Sequence, residues 1–127
     1  MANSRTYVAL DGLTLHYVDY AGPSTGVPVV CLPGLTRNAR DFSALAAHLS
    51  QSRRVLCLEF RGRGESQWDT DVSHYQAPQY VADTLLLLQK EKLNRVIVVG
   101  TSLGGIVGTG IAMVNPALLA GIVLNDI

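Results

Sequence analysis

The stretch VVGTSLGGIVG, residues 98–108, decides the fold of this 127-residue chain. It joins a run of β-branched residues, which favours a strand, to a segment with helical spacing. Ser102 stands at the junction, between Gly100 and Gly104, in the pattern G-x-S-x-G. Glycines on both sides permit a sharp turn that exposes the serine hydroxyl above the end of the strand. The stretch therefore predicts a strand, a tight turn and a helix, in that order.

The same region also has the hydropathy of a membrane span. Residues 96–114 carry no charge, and Gly100 and Gly104 have the G-x-x-x-G spacing found in packed membrane helices. However, the run opens with four β-branched residues, 96–99, which favour a strand. Because a buried strand followed by a buried helix has the same mean hydropathy, we expect that arrangement rather than a span.

The rest of the chain alternates apolar runs with segments of helical spacing. Residues 6–22 predict a hairpin with Asp11-Gly12 as its two-residue turn. In the helix predicted after the first apolar strand, Phe42, Leu45 and Leu49 are expected to share one face. The further strands are predicted over 27–34, 53–60, 94–100 and 119–126, and the helices over 39–51, 77–93 and 102–114. Together they predict an α/β domain: a mostly parallel sheet with an N-terminal antiparallel hairpin and helices on both faces.

The composition limits the class of protein. Residues 1–127 are long enough for one domain, 48% are apolar, and the formal net charge is zero. These values exclude a disordered chain and give no basic surface for nucleic acid or an anionic membrane. Cys31 and Cys57 lie in apolar strands and are expected to be buried free thiols in a reducing compartment. The first residues lack a signal-peptide pattern, so a cytoplasmic location is expected.

Ser102 has the surroundings that a nucleophile needs. The helix after it begins at Leu103, whose free N–H is placed to bind a developing oxyanion. A second donor is expected from the loop that follows an earlier strand, where the N–H of Leu35 comes directly after Gly34. The alternative is that Gly100 and Gly104 only allow the helix to pack closely on the sheet. Phosphate-loop patterns do not fit, because neither G-K-[ST] nor G-x-G-x-x-G occurs.

Four segments in this order resemble the N-terminal half of the α/β-hydrolase fold superfamily. They are PGLTRNARDF (33–42), EFRGRGES (59–66), GTSLGG (100–105) and GIVLNDI (121–127), which look like the oxyanion loop, the D-x-R-G-x-G-x-S segment, the nucleophile elbow and the sixth strand. The resemblance implies an incomplete α/β-hydrolase fold that ends after the sixth strand. It also implies a bacterial cytoplasmic serine hydrolase of the esterase type, with no metal and no organic cofactor. Two positions depart from the pattern: Pro33 replaces the usual histidine, and Glu59 replaces the usual aspartate.

The histidine of a catalytic triad is not evident in the sequence. The family order is nucleophile, acid, histidine, yet no histidine follows Ser102. His16 and His48 are expected to be structural or solvated, and His74, in the irregular loop 65–76, is the one local substitute. Asp126, after the last strand, is a possible triad acid, with a loop-capping role as the alternative.

These observations favour a serine hydrolase that forms an acyl-enzyme on Ser102 and takes its histidine from outside this chain. A serine without a general base is a poor nucleophile, so the chain alone is expected to be poorly active or inactive. The alternative is a non-catalytic module of the same fold that binds a ligand or forms oligomers. The expected partners are a small-molecule ester or related carbonyl substrate, and a complementary C-terminal segment or a second copy that covers the bare edge at 119–126.

Overall fold

The computed structural model describes residues 2–126, which form one six-stranded sheet with helices on both faces. The strands are β1 Ala2–Val8, β2 Thr14–Tyr20, β3 Val29–Leu32, β4 Val55–Glu59, β5 Val96–Thr101 and β6 Leu119–Asn125. The helices are α1 Ser43–Leu49, α2 Ala77–Lys90 and α3 Leu103–Val114, with 3-10 turns at Ala39–Phe42, Val72–His74 and Pro116–Leu118.

The strand order is β1-β2-β4-β3-β5-β6. β2 pairs antiparallel with both β1 and β4, whereas β3, β4, β5 and β6 pair in parallel. The predicted fold class, with its antiparallel N-terminal hairpin and parallel remainder, is therefore confirmed. β1 and β6 are the outer strands of the described sheet.

Side chains alternate between two cores along the central strands. Val30 and Leu32 of β3 pack toward α2 and α3, while Val29 and Cys31 pack toward α1 and the turn before it. This alternation is the period of two that a strand buried on both faces requires. Cys31 and Cys57 are both buried free thiols, as expected, and lie opposite each other in the β3–β4 register. Their mutual hydrogen bond and their burial raise the pKa of Cys31, which keeps it a thiol.

Two local predictions are wrong. Five residues, 9–13, connect β1 and β2 instead of a two-residue turn at Asp11-Gly12. The loop is closed by the N–H of Ala9, which donates to Leu13 O at 2.8 Å, and Gly12 takes the positive φ of 90°. In α1, Leu45 is exposed and Ala46 is buried. The chain begins this segment as a 3-10 turn, which winds more tightly than an α-helix and so changes the face that meets the sheet.

The apolar run 96–114 is divided by the turn at Ser102 into β5 and α3. Each piece is far shorter than the run itself. Within residues 2–126, no helix is long and apolar enough to cross a membrane.

Candidate active site

Ser102 occupies a strained turn between β5 and α3. Its backbone has φ 52° and ψ −113°, a left-handed conformation that non-glycine residues rarely adopt. The turn is held by hydrogen bonds on both sides: Ser102 N–H donates to Asn125 O at 3.0 Å, and Ser102 O accepts from Gly105 N–H at 2.9 Å. The residue is exposed, and its hydroxyl does not cap α3. The turn therefore presents the hydroxyl at the C-terminal edge of the sheet, where ligands bind in open α/β sheets.

The flanking glycines are required by close backbone approaches. A Cβ on Gly100 would lie 2.5 Å from Gly104 O, and a Cβ on Gly104 would overlap the carbonyl oxygen of Leu32. Real Cβ atoms do not approach backbone so closely. The glycines thus let α3 start directly against the ends of β3 and β5. Close packing and the exposed serine are consequences of the same geometry, so the two sequence interpretations are not exclusive.

The loop after β3 reaches the same place. A Cβ on Gly34 would lie 3.8 Å from the Cβ of Ser102, and Gly34 O accepts from Arg37 N–H at 3.2 Å. Leu35 follows at the exposed surface of this loop. Gly34 and Ser102, which are 68 positions apart in the sequence, are therefore neighbours, because β3 and β5 are adjacent and parallel.

Arg63 holds this loop in place, and the sequence analysis did not identify it. Its Nε donates to Leu35 O at 2.9 Å, and its Nη1 donates to Arg61 O at 3.1 Å and to the Tyr80 hydroxyl at 2.9 Å. The guanidinium also lies 5.0 Å from the centre of the Tyr80 ring, within cation–π range. The second arginine of the EFRGRGES segment thus connects the loop after β3 to α2. Its position between two glycines was the available signal.

The remaining predicted site residues lie around Ser102. Leu103 is the first residue of α3, where helical N–H groups have no partner within the helix. Asp126 directly follows β6 with a φ of 55°, next to Asn125, whose carbonyl accepts from Ser102 N–H. Both residues are therefore beside the turn in the fold.

The histidines of the chain lie elsewhere in the described residues. His48 is exposed in the last turn of α1. His74 Nδ1 is hydrogen-bonded to Asp69 Oδ2 at 2.6 Å. His16 is 3% exposed, with Nδ1 2.7 Å from Glu59 Oε1 and Nε2 2.5 Å from Ser4 Oγ. Since His16 and His74 are engaged with these partners, neither is a base for Ser102 in this structure.

Arg61 is the centre of a buried ionic network. Its guanidinium donates to Asp83 at 2.7 Å, to Asp69 at 2.7 Å and to Asp11 at 2.8 Å. The hydrogen bond from Arg61 lowers the pKa of Asp11. The pKa of Asp69 falls to about 2, chiefly through the backbone N–H of Asp71 and also through His74 and Arg61. The hydrogen bond to Asp69 in turn raises the pKa of His74. This network fastens the β1–β2 loop to α2 and to the loop after β4.

Two groups of side chains in the described residues have ligand atoms close enough for a metal ion: Asp11, Asp69 and His74, and His16, Glu59 and Glu65. In the first group, Arg61 already supplies a cation between Asp11 and Asp69. In the second, the ring nitrogens of His16 are bonded to Ser4 and Glu59. Neither group therefore offers free ligands for an ion.

The chain is similar in sequence to named hydrolases. It is 37% identical over 111 residues to the 3-hydroxybutyrate-oligomer hydrolase of Cupriavidus necator, which is 87% of this chain and 38% of that protein. It is 33% identical over 115 residues to the sn-1-specific diacylglycerol lipase ABHD11 of Xenopus tropicalis, covering 89% of this chain and 35% of that protein. The chain thus spans little more than a third of the length of these relatives.

Solved structures show the same fold. A crystal structure of an alpha/beta hydrolase from Novosphingobium aromaticivorans matches 99% of this chain and 44% of that one, with a TM-score of 0.96 and 48% identity. An epoxide hydrolase from Vigna radiata matches with a TM-score of 0.90 at 22% identity, which shows the fold alone. A sequence model described as the alpha/beta hydrolase family matches residues 29–126, from β3 to the residue after β6. Because this match covers most of the 127 residues, the chain belongs to the alpha/beta hydrolase family.

Proposed function

We propose that the whole protein is a serine hydrolase that cleaves carboxylic esters through an acyl-enzyme on Ser102. One observation carries this proposal: an exposed serine is held in a strained turn at the edge of the sheet, beside the glycine loop after β3. Strain of this kind persists only where the surrounding structure enforces it, and it is concentrated at functional sites. Packing alone does not require a serine in a left-handed conformation.

In the proposed reaction, Ser102 Oγ attacks the ester carbonyl carbon and the alcohol leaves. The carbonyl oxygen becomes an oxyanion, which accepts hydrogen bonds from the N–H groups of Leu103 and Leu35. The N-terminal end of α3 adds its positive dipole at the same point. Arg63 fixes the carbonyl of Leu35 and so keeps the loop from rotating its N–H away. Water then hydrolyses the acyl-enzyme.

The general base is a histidine outside residues 2–126, because His16 and His74 already have other partners. His48 lies in the last turn of α1, toward the start of β4 and so at the opposite edge of the sheet from Ser102. Asp126 is the proposed acid that orients that histidine, since it follows β6 next to the turn. If Asp126 has this role, Asp126→Asn reduces kcat by up to about 10⁴-fold, as loss of a triad acid does. An unchanged kcat would leave Asp126 as a loop residue.

Two of the relatives support the proposed substrate class. The names of the 3-hydroxybutyrate-oligomer hydrolase and of the diacylglycerol lipase specify substrates that are carboxylic esters. We therefore propose ester bonds rather than the carbon–carbon, thioester or lactone bonds that the sequence leaves open.

The exposed edge of β6 is also part of the proposal. In β6, Ile122, Val123 and Leu124 are 37%, 54% and 45% exposed on an outer strand. Unpaired strand edges and apolar surface promote association. We propose that a C-terminal segment of the whole protein, or a second copy, covers this edge. If residues 1–127 alone are a monomer by light scattering and unfold cooperatively in urea, the proposal is contradicted.

The test is hydrolysis of p-nitrophenyl butyrate by the whole protein and by its Ser102→Ala variant. Loss of the nucleophile is expected to reduce kcat at least about 10³-fold, with KM little changed. Ser43→Ala, at an exposed serine at the start of α1, is the matched control and is expected to keep full activity. A kcat that is unchanged in a folded Ser102→Ala protein would overturn the proposal.

A further inference from the structure

A second serine of this chain has the base and the carboxylate that Ser102 lacks. Ser4 is exposed on β1, and its Oγ lies 2.5 Å from His16 Nε2. The other ring nitrogen of His16 lies 2.7 Å from Glu59 Oε1. A hydroxyl, an imidazole and a carboxylate in sequence, each at hydrogen-bond distance from the next, form the arrangement that activates serine nucleophiles.

The hydrogen bonds of Glu59 fix the direction of this relay. Its Oε1 accepts from Glu65 N–H at 2.8 Å, and its Oε2 accepts from Ala39 N–H at 3.1 Å. Both oxygens of Glu59 thus accept hydrogen bonds, so its contact with His16 is made with the imidazole Nδ1–H as donor. His16 Nε2 faces Ser4 Oγ and also lies 3.6 Å from Oε2 of the exposed Glu65. The tautomer with Nδ1–H donating to Glu59 is the one whose Nε2 can take the proton of the Ser4 hydroxyl.

The histidine and the carboxylate of the relay are buried, whereas its serine is accessible to solvent. His16 is 3% and Glu59 is 7% exposed, whereas Ser4 is on the surface. His16 and Glu59 further line a cavity of about 360 Å³ together with the exposed Arg40 and Glu65, whereas Ser4 is not among its lining residues. The cavity therefore borders the base and the carboxylate, and the serine is reached from the surface of β1.

The backbone of β1 supplies a donor for an oxyanion. His16 N–H donates to Ser66 Oγ at 2.8 Å, on the side away from β1. Because hydrogen-bonding direction alternates along an antiparallel strand, Tyr17 faces β1 and pairs with Arg5. The N–H of Ser4, one residue before Arg5, consequently points away from β2, toward the open side of this outer strand.

We propose that Ser4, His16 and Glu59 form a second reactive site, which takes acyl groups from small activated esters. Ser4 Oγ bonds to the ester carbonyl carbon, and its proton passes to His16 Nε2. The bond between that carbon and the alcohol oxygen breaks, and the alcohol leaves with the proton from His16. Ser4 is left as an acyl ester, and water releases the acid in a second step. Nothing is oxidised or reduced.

The test uses the whole protein with Ser102→Ala, so that the proposed nucleophile of the first site is absent and the two proposals fail separately. The protein is incubated with p-nitrophenyl acetate, and acetylation of each serine is followed by peptide mass spectrometry. Ser4 is expected to react at least about 100-fold faster than the exposed Ser43, since a positioned general base contributes about 10²–10⁴-fold. Ser4→Ala in the same background removes this adduct.

Two further measurements separate a reactive relay from a structural one. His16→Gln in the Ser102→Ala protein is expected to lower the rate at Ser4 to that of Ser43. If that variant does not fold, the solvent isotope effect of the Ser102→Ala protein decides instead. Because the proton of Ser4 passes to His16 during the reaction, the rate at Ser4 is expected to fall in D₂O more than the rate at Ser43 does. Equal rates at Ser4 and Ser43, or equal isotope effects, would overturn the proposal.

Discussion

Ser102 and Ser4 differ in what surrounds their hydroxyls. Ser102 has a φ of 52°, a glycine loop beside it and a helix N-terminus behind it, but no histidine within the described residues bonds to it. Ser4 lies inside an ordinary strand, with a buried histidine and carboxylate in line with its hydroxyl. Ser102 is therefore distinguished by its backbone conformation, and Ser4 is distinguished by the side chains bonded to its hydroxyl.

The difference shows that a strained, exposed serine and a serine bonded to a histidine–carboxylate pair lie at separate places in this fold. At Ser102 the proposed contribution comes from the backbone, through exposure and N–H groups for an oxyanion. At Ser4 the proposed contribution comes from the side chains that take up the proton. The two sites should therefore respond in different ways to the same kinds of substitution.

The largest expected effect is at the glycines of the Ser102 turn. A Cβ on Gly104 overlaps the carbonyl of Leu32, and relief requires α3 to move away from β3. Gly104→Ala is expected to reduce the free energy of unfolding by about 3 kcal/mol. Gly121→Ala in β6, where a Cβ meets nothing within 4 Å, is the matched control with little change. Urea denaturation of the whole protein measures both, and equal midpoints for the two variants would contradict the packing role.

The carboxylate of the Ser4 relay should have the next largest effect. Glu59→Gln places an amide N–H₂ against the N–H of Ala39 or Glu65, or against His16, so one of these bonds is lost. A loss of about 2 kcal/mol is expected, because hydrogen bonds to a buried charge are among the stronger ones. Glu65→Gln is the comparison variant: its side chain is 3.6 Å from His16 Nε2 but 76% exposed, so a small change is expected. Identical urea midpoints for Glu59→Gln and the parent protein would show that the hydrogen bonds of Glu59 do not stabilise the fold.

Substitution of the two serines by glycine should give opposite signs. Ser102→Gly relieves the left-handed strain, so it is expected to be about 1–2 kcal/mol more stable than Ser102→Ala. Ser4→Gly increases the flexibility of a strand, so it is expected to be about 0.5–1 kcal/mol less stable than Ser4→Ala. Thermal unfolding of the four variants measures the comparison. The same sign at both positions would mean that the turn at Ser102 is not strained.

The smallest expected effect is on the pH dependence of stability and comes from His74. Its ring is bonded to a carboxylate, as the ring of His16 is, but not to a serine hydroxyl. Its hydrogen bond to Asp69 raises its pKa above the ordinary 6.5, so the folded state binds the proton more tightly than the unfolded state. This stabilisation is complete below pH 6.5 and is lost as the pH rises through the raised value.

Asp69 behaves in the opposite way. Its pKa is lowered to about 2, so its contribution to the free energy of unfolding is present above the ordinary 3.8 and is lost as the pH falls toward 2.

The measurement for His74 is the urea midpoint between about pH 5 and pH 9. The midpoint of the parent protein should decline with pH relative to that of His74→Gln. A constant difference across that range would contradict the assignment.

Much of the fold followed from patterns within single segments. The β-branched run before Ser102, the alternation of strands with helices and the Pro78 in the first turn of α2 each have local physical causes. The five-residue loop after β1 did not follow, because its closure depends on a bond between Ala9 and Leu13 that dipeptide preference does not encode. Leu45 was misplaced because a 3-10 turn precedes α1.

The site was predictable where one motif carried it. The neighbourhood of Ser102, Leu103 and Gly34 follows from two glycine-containing loops at the ends of adjacent parallel strands. The contact of Arg63 with Leu35 O and the line from Ser4 through His16 to Glu59 depend on tertiary approach of residues that share no motif. Such contacts become visible only in three dimensions.

The most direct test of the central claim is the position of the first covalent adduct when the whole protein reacts briefly with a fluorophosphonate. Trypsin separates the two serines, because it cleaves after Arg5 and after Arg95, and Ser102 is the only serine between residues 96 and 127. We predict that the first adduct is on the peptide that begins at Val96, at Ser102. A first adduct on the peptide that ends at Arg5, or no adduct at Ser102 in a folded protein, would contradict the account.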